Sequence, residues 1–165
     1  MGVVVDSNVA FVASGLVPEA SAACNHTCVQ RLALITQVGG LLLDADGFIL
    51  HEYVKKLGFA GKPGAGRAFV KWAHDNQFND RLCTRVSITR CADHAWRRFA
   101  EFPADDALRG FDEDDQKFVA VALASGEHPP ILNAVDSDWW LFGPALARHG
   151  VVVDNLCPEQ RTAAS

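Results

Sequence analysis

Aspartates stand at the ends of four apolar, strand-like runs. "VVVD" puts Asp6 there, "LLLD" Asp44, "ILNAVD" Asp136 and a second "VVVD" Asp154. In "VDSDWW" Asp138 follows Asp136 by two residues, so two carboxylates lie close together at one strand end. Glu52, in "ILHEYV", lies one turn after Phe48 and Ile49, at the border of a helix's apolar face. Further on, Asp112, Glu113, Asp114 and Asp115 run directly into the apolar stretch "QKFVAVALASG". Acids gathered in one crevice repel each other unless cations neutralise them. Hard oxygen donors of this kind suit Mg2+ or Mn2+ rather than zinc.

Helical phase separates the four consecutive acids. With Asp112 as N-cap and 100° per residue, Phe118, Val119, Ala122 and Leu123 centre near the direction of Asp115. Glu113 and Asp114 point the other way, where Glu113 can pair with Lys117 four residues on. Negative charge at a helix start accounts for Asp112, Glu113 and Asp114. Asp115 is expected to face inward, where an ionised carboxylate needs a base or a metal ion beside it. Asp6 has two readings, as cap of the next helix or as ligand at the sheet's functional edge.

The elements that must position these acids alternate. Strands are expected at 1–6, 41–44, 84–89, 129–135 and 151–156. Helices are expected at 18–38, 47–57 with Asp46 as cap, 67–77, 91–102, from Asp112 onward, and 138–149. Such alternation argues for an α/β domain with a mostly parallel sheet, in which strand carboxyl ends share one edge. The length fits a single domain over 1–157 with a polar C-terminal tail at 158–165.

"VVVDSNV", Glu52, "DEDDQKFVAVALASG" and "ILNAVDSDWWLF" occur in this order over roughly residues 2–157, and with them the chain resembles the PIN-domain family of metal-dependent nucleases. The last two stretches are similar to that family's D-x-x-D-x-K-F-L-x-x-A and (T/S)-x-D-x-D-L patterns; Val135 stands where the family often has Gly, Ser or Thr. The resemblance implies a three-layer fold with a five-stranded parallel sheet between helices. It implies a site of Asp6, Glu52, Asp115 and Asp136, with Asp112 and Asp138 near it. Mg2+ or Mn2+ would be held by Asp6, Asp115, Asp136 and Asp138, with Glu52 binding metal or orienting the attacking water. The activity implied is endoribonuclease hydrolysis of RNA, as in toxins of bacterial toxin–antitoxin pairs, with an antitoxin protein and a second copy of the chain as expected partners. A catalytically silent RNA- or protein-binding module and a structure-specific DNA nuclease are the competing readings. Retention of all four expected acids favours the enzyme.

Charge is unevenly spread. Tyr53 to Arg98 holds ten bases against three acids, a net +7, which leaves −12 for the rest of a chain totalling −5. A basic middle beside acidic ends suits a polyanion whose reacting point lies among carboxylates. Trp139 and Trp140, following the acidic site, are candidate stacking surfaces for unpaired bases. No apolar run approaches the roughly 20 residues that span a bilayer, so a membrane role is not expected. The five cysteines are an odd number in a chain that can build its own core, which reads as free thiols in a reducing cytoplasm. "CNHTC" (Cys24, His26, Cys28) splits its ligands between helix faces and reads as thiols rather than a zinc site. "GFAGKPGAGR" lacks the G-K-[ST] ending of a phosphate loop and reads as a connection.

Overall fold

Among the described residues, short β-branched and leucine-rich runs make five strands, all in parallel pairs. In the computed structural model, which describes residues 2–58 and 63–163, β1 (Val4–Val5), β4 (Pro130–Asn133) and β5 (Val152–Asn155) form one sheet in the order β1-β4-β5. The second sheet pairs β2 (Leu41–Asp44) with β3 (Cys83–Val86). Val4 lies opposite Ile131, Ile131 opposite Val153, and Leu41 opposite Cys83. Between the sheets, Val3 forms a parallel bridge with Leu41: Val3 N–H donates to Gly40 O at 2.8 Å and Leu42 N–H to Val3 O at 2.9 Å. The expected α/β class with parallel strands flanked by helices is present, as one sheet of three strands and one of two.

Helices leave the strands at the carboxylates. Asp6 caps α1 (Ser7–Ala13) by accepting from Asn8 N–H at 2.9 Å. Ser21 caps α2 (Ala22–Val38), which ends at Gly39 with φ +79°. At α3 (Phe48–Leu57) the N-cap position is Gly47, and the capping acceptor is Asp44 rather than the expected Asp46: its two oxygens accept from Phe48 and Ile49 N–H, both at 2.8 Å. Asp44 is buried, and bonding both oxygens to backbone is what makes that burial tolerable. α4 (Ala65–Asn76) crosses α1 at Gly66, where a Cβ would stand 2.0 Å from Ala10 O, so only glycine lets the two backbones meet. Of the expected Gly-rich connection, residues 59–62 lie outside the described residues.

A 3-10 turn (Glu113–Asp115) leads into α5 (Gln116–Ala124), which is buried nearly all round. It packs on β1, β2 and β4 with one side and on α3 with another.

Two expected helices are corrected. Residues 91–102 form no helix. Arg90 and Phe99 make an antiparallel bridge, and the His94 ring accepts from Trp96 and Arg97 N–H. The buried side chain of Gln116 accepts from Arg98 N–H and donates to Trp96 O, both at 2.8 Å. Side-chain bonds to backbone thus replace the helical ladder. The expected helix at 138–149 breaks at Phe142 into α6 (Asp138–Leu141) and α7 (Gly143–Arg148), because Pro144 takes the second position of a new helix. The tail opens with α8 (Pro158–Ala163), and the Gln160 side chain accepts from Ser21 N–H at 2.8 Å. Among the described residues, no helix is long and apolar enough to cross a membrane.

The cysteines are not all free thiols: Cys24 and Cys157 form a disulfide across 133 residues of sequence. A core this size does not need a staple, so cysteine parity alone could not reveal one. Closing so long a loop removes much unfolded-state entropy. Reduction by a phosphine is therefore expected to lower unfolding stability by about 2–4 kcal/mol. Denaturant melts with and without reductant measure this, and Cys157→Ser should match the reduced wild type.

Candidate metal centre

Three of the sequence-selected acids meet. Asp6 arrives from the end of β1, Asp115 from the turn before α5 and Asp136 from just beyond β4. Each offers a carboxylate oxygen, and the three oxygens lie within 4.8 Å of one another. Asp6 and Asp115 are buried, at 2% and 5% exposure, while Asp136 is half-buried. The inward direction read from helical phase for Asp115 holds, and Asp114 is exposed.

Two of the three carboxylates, those of Asp6 and Asp136, are held from outside the cluster. Asp6 caps α1 through Oδ1, the first of its two readings, while Oδ2 accepts from Trp139 Nε1 at 2.7 Å. Trp139 is fully buried and Trp140 nearly so, so neither presents a face to a base; the expected stacking surface is instead part of the support for Asp6. Asp136 Oδ1 accepts from Asp138 N–H at 3.0 Å, and Asp138 Oδ2 accepts from Asp112 N–H at 3.0 Å. Asp138 therefore joins the loop of Asp136 to the turn of Asp115 and stands outside the three-acid group. Asp112 caps that turn through Asp114 N–H at 2.9 Å.

Asn133 was not singled out in the sequence, yet it fixes the Asp136 loop. Its side chain accepts from Asn8 Nδ2 and Asp136 N–H and donates to Asp136 O and Asn155 Oδ1, at 2.9–3.1 Å. Asn8 Oδ1 accepts in turn from Ala134 N–H at 2.8 Å. The available signal was one fully buried amide inside the apolar run "PPILNAV", since a buried amide must find partners.

Glu52 is buried beside the three acids. Its Oε1 takes an ion pair from Lys117 Nζ at 2.9 Å, and Lys56 Nζ lies 3.6 Å away. Its Oε2 is buried with no hydrogen-bond partner among the described residues. The expected Glu113–Lys117 pair does not form. Lys117 is itself buried and also donates to Asp114 O, and Glu113 pairs with Arg98. Helical phase gives α5 one buried face, but almost none of the helix is exposed. The unbroken "FVAVALA" carries that information.

Electrostatically the cluster is frustrated as a set of free acids. Burial above all, then the charges of Asp6, Asp136, Asp112 and Glu52, pushes the Asp115 carboxyl far above its ordinary range. Burial likewise raises Asp6, with Asp136 and Glu52 adding to it against the bonds from Asn8 and Trp139. Buried carboxylates within 4.8 Å of one another resist ionising together without a compensating cation.

No protein-family model, curated protein or solved structure matches this chain.

The donor set, all oxygen and partly pre-oriented, with an unpartnered buried oxygen on Glu52, fits a hard divalent cation. Beside it opens a cleft in which Lys55, Lys56, Arg90, Arg98 and Lys117 outnumber the acids Glu52, Glu113 and Asp114, with Phe48 and Phe99 on its wall. Arg90 stacks over the Phe48 ring at 5.3 Å. The other two strand-end aspartates serve elsewhere: Asp44 is a cap, and Asp154 pairs with Arg31 at 2.9 Å.

Proposed function

We propose that this protein is a divalent-metal-dependent endoribonuclease of the PIN type, which hydrolyses RNA phosphodiester bonds. The observation carrying this reading is the convergence of Asp6, Asp115 and Asp136 within 4.8 Å in a mostly buried, pre-oriented group. The reading takes the two sheets as one five-stranded order β3-β2-β1-β4-β5, supported by the bridge between Val3 and Leu41.

Asp6, Asp115 and Asp136 would hold Mg2+ or Mn2+. When bound, such an ion acidifies a water and offsets charge on the phosphoryl oxygens. Asp6 has both oxygens anchored, so its position is set before any ligand arrives. Glu52 keeps one oxygen on Lys117 and offers Oε2 as an acceptor, which suits it to orient a water. The basic cleft beside Glu52 matches the charge of a nucleic-acid backbone, so binding should weaken steeply as salt rises.

Single-stranded RNA incubated with the purified protein is expected to be cut in Mg2+ or Mn2+ and to survive in chelator. Removing two cleft cations (Lys55→Ala with Arg90→Ala) should raise KM by roughly 10-fold and flatten the salt dependence by about two phosphate contacts. RNA cut equally well in chelator, or DNA cut in preference to RNA, would sink the proposal.

A further inference from the structure

Away from the acidic cluster, a third cysteine sits where a simple staple needs only two. Cys24 and Cys28 are one turn apart on α2, and Cys157 follows β5. All three are fully buried, and their Sγ atoms lie within 4.8 Å of one another. Cys28 takes no part in the disulfide. Burial first, and then the nearby charge of Glu159, pushes its thiol up to about 12, so it is protonated as it stands. His26, which shares the motif, is exposed and turned away.

Two of the three sulfurs are joined in the disulfide and the third lies within 4.8 Å of both, so opening the bond leaves three thiols near enough to share one ion. Zinc–sulfur bonds of about 2.3 Å place thiolates roughly 3.8–4.0 Å apart around one ion. Cys24 and Cys28 share one face of a single helix, and Cys157 is held against that face by the ends of β5 and α8. We propose that, once the Cys24–Cys157 bond is open, Cys24, Cys28 and Cys157 bind one thiophilic divalent ion such as zinc. A dithiol opens the bond by passing two electrons and two protons to the protein sulfurs and leaving as its own disulfide. Binding then exchanges three thiol protons for one divalent ion, leaving a single net negative charge in place of three buried thiols. The site is separate from the carboxylates and uses none of their residues, so it stands or falls independently of the nuclease reading.

The experiment uses the full chain, opened anaerobically by a phosphine: the phosphine gives two electrons to the disulfide and becomes its oxide with oxygen from water, whose two protons go to the sulfurs. Cd2+ serves as probe, because thiolate-to-cadmium charge transfer absorbs in the ultraviolet whereas carboxylate binding at the acidic cluster does not. The expected result is a saturable band at one equivalent with the intensity of three thiolates. The oxidised protein should show none. Cys28→Ala should lower the band to two thirds and weaken binding by about 100-fold, the upper end of what loss of a supporting partner alone costs. Cys83→Ala and Cys91→Ala should leave it unchanged. The idea is overturned by a reduced wild type that shows no one-equivalent band, or only two thiolates' intensity. It is equally overturned by a band that Cys28→Ala leaves intact. The wild-type intensity decides the matter even if a variant does not fold.

Discussion

Asp115→Asn is expected to move activity and stability in opposite directions. Cleavage should fall by about 10^3-fold or more, the scale on which single acids of a cooperating set act. In chelator at pH 8 the same variant should unfold later than the wild type. The sign follows from linkage. A carboxyl whose folded pKa is raised makes the folded state bind more protons than the unfolded one. Its stability is then greatest below the unfolded value near 4 and is lost as pH rises through the interval up to the folded value. The amide carries no charge, so it escapes that loss. A melting gain of roughly 3–5 °C is the expected scale for one to two kcal/mol in a chain this size. Adding Mg2+ should reverse the order, stabilising the wild type while leaving Asp115→Asn nearly unmoved. Asp114→Asn, on an exposed neighbour, should change neither quantity. An Asp115→Asn protein that melts below the wild type in chelator at pH 8 would show that the cluster is not frustrated as described.

Lys117→Met should be the most damaging single change away from the three acids. It leaves Glu52 buried with one oxygen already unpartnered and the other newly stripped of its ion pair. Breaking one side of a buried pair costs about 3–5 kcal/mol, or roughly 10 °C here. Lys56, 3.6 Å from the same oxygen and mostly in water, can replace only a little of the lost interaction. The combination with Glu52→Gln should recover most of the stability and none of the cleavage. Melts of both single variants and the double one give the coupling directly, and a double variant as unstable as the two losses summed would refute a Glu52–Lys117 pair.

The site was more legible in the sequence than the path that assembles it. Asp6 and Asp136 could be found because the order of the motifs selected them; strand-end position alone does not, since Asp44 and Asp154 also end apolar runs and serve as a cap and an ion-pair partner. Asp115 could be found because helical phase turned it toward the apolar face. Reading failed where a neighbour from another element decided the outcome. Lys117 seemed solvent-facing until Glu52 and the surrounding elements enclosed α5. The stretch 91–102 looked helical by composition, yet Gln116 and the His94 ring claim its backbone groups. Asp44 displaced Asp46 as a cap because the strand's last residue already points at the helix start. Likewise the Cys24–Cys157 pair depends on contact between α2 and the end of β5, which spacing along the chain does not encode.

That link also changes what the chain is as a mechanical object. With residues 24 and 157 joined, the polypeptide between them is a closed ring, and roughly 450 Å of contour is closed off. Tension applied at the ends runs through the bond and leaves the ring slack, so it cannot draw out the strands that present Asp6's neighbours. A machine that degrades proteins by threading them would have to admit two strands abreast or first find a reductant. The lifetime of the protein under such a machine is thereby tied to the redox state of its surroundings, independently of how firmly its core is packed.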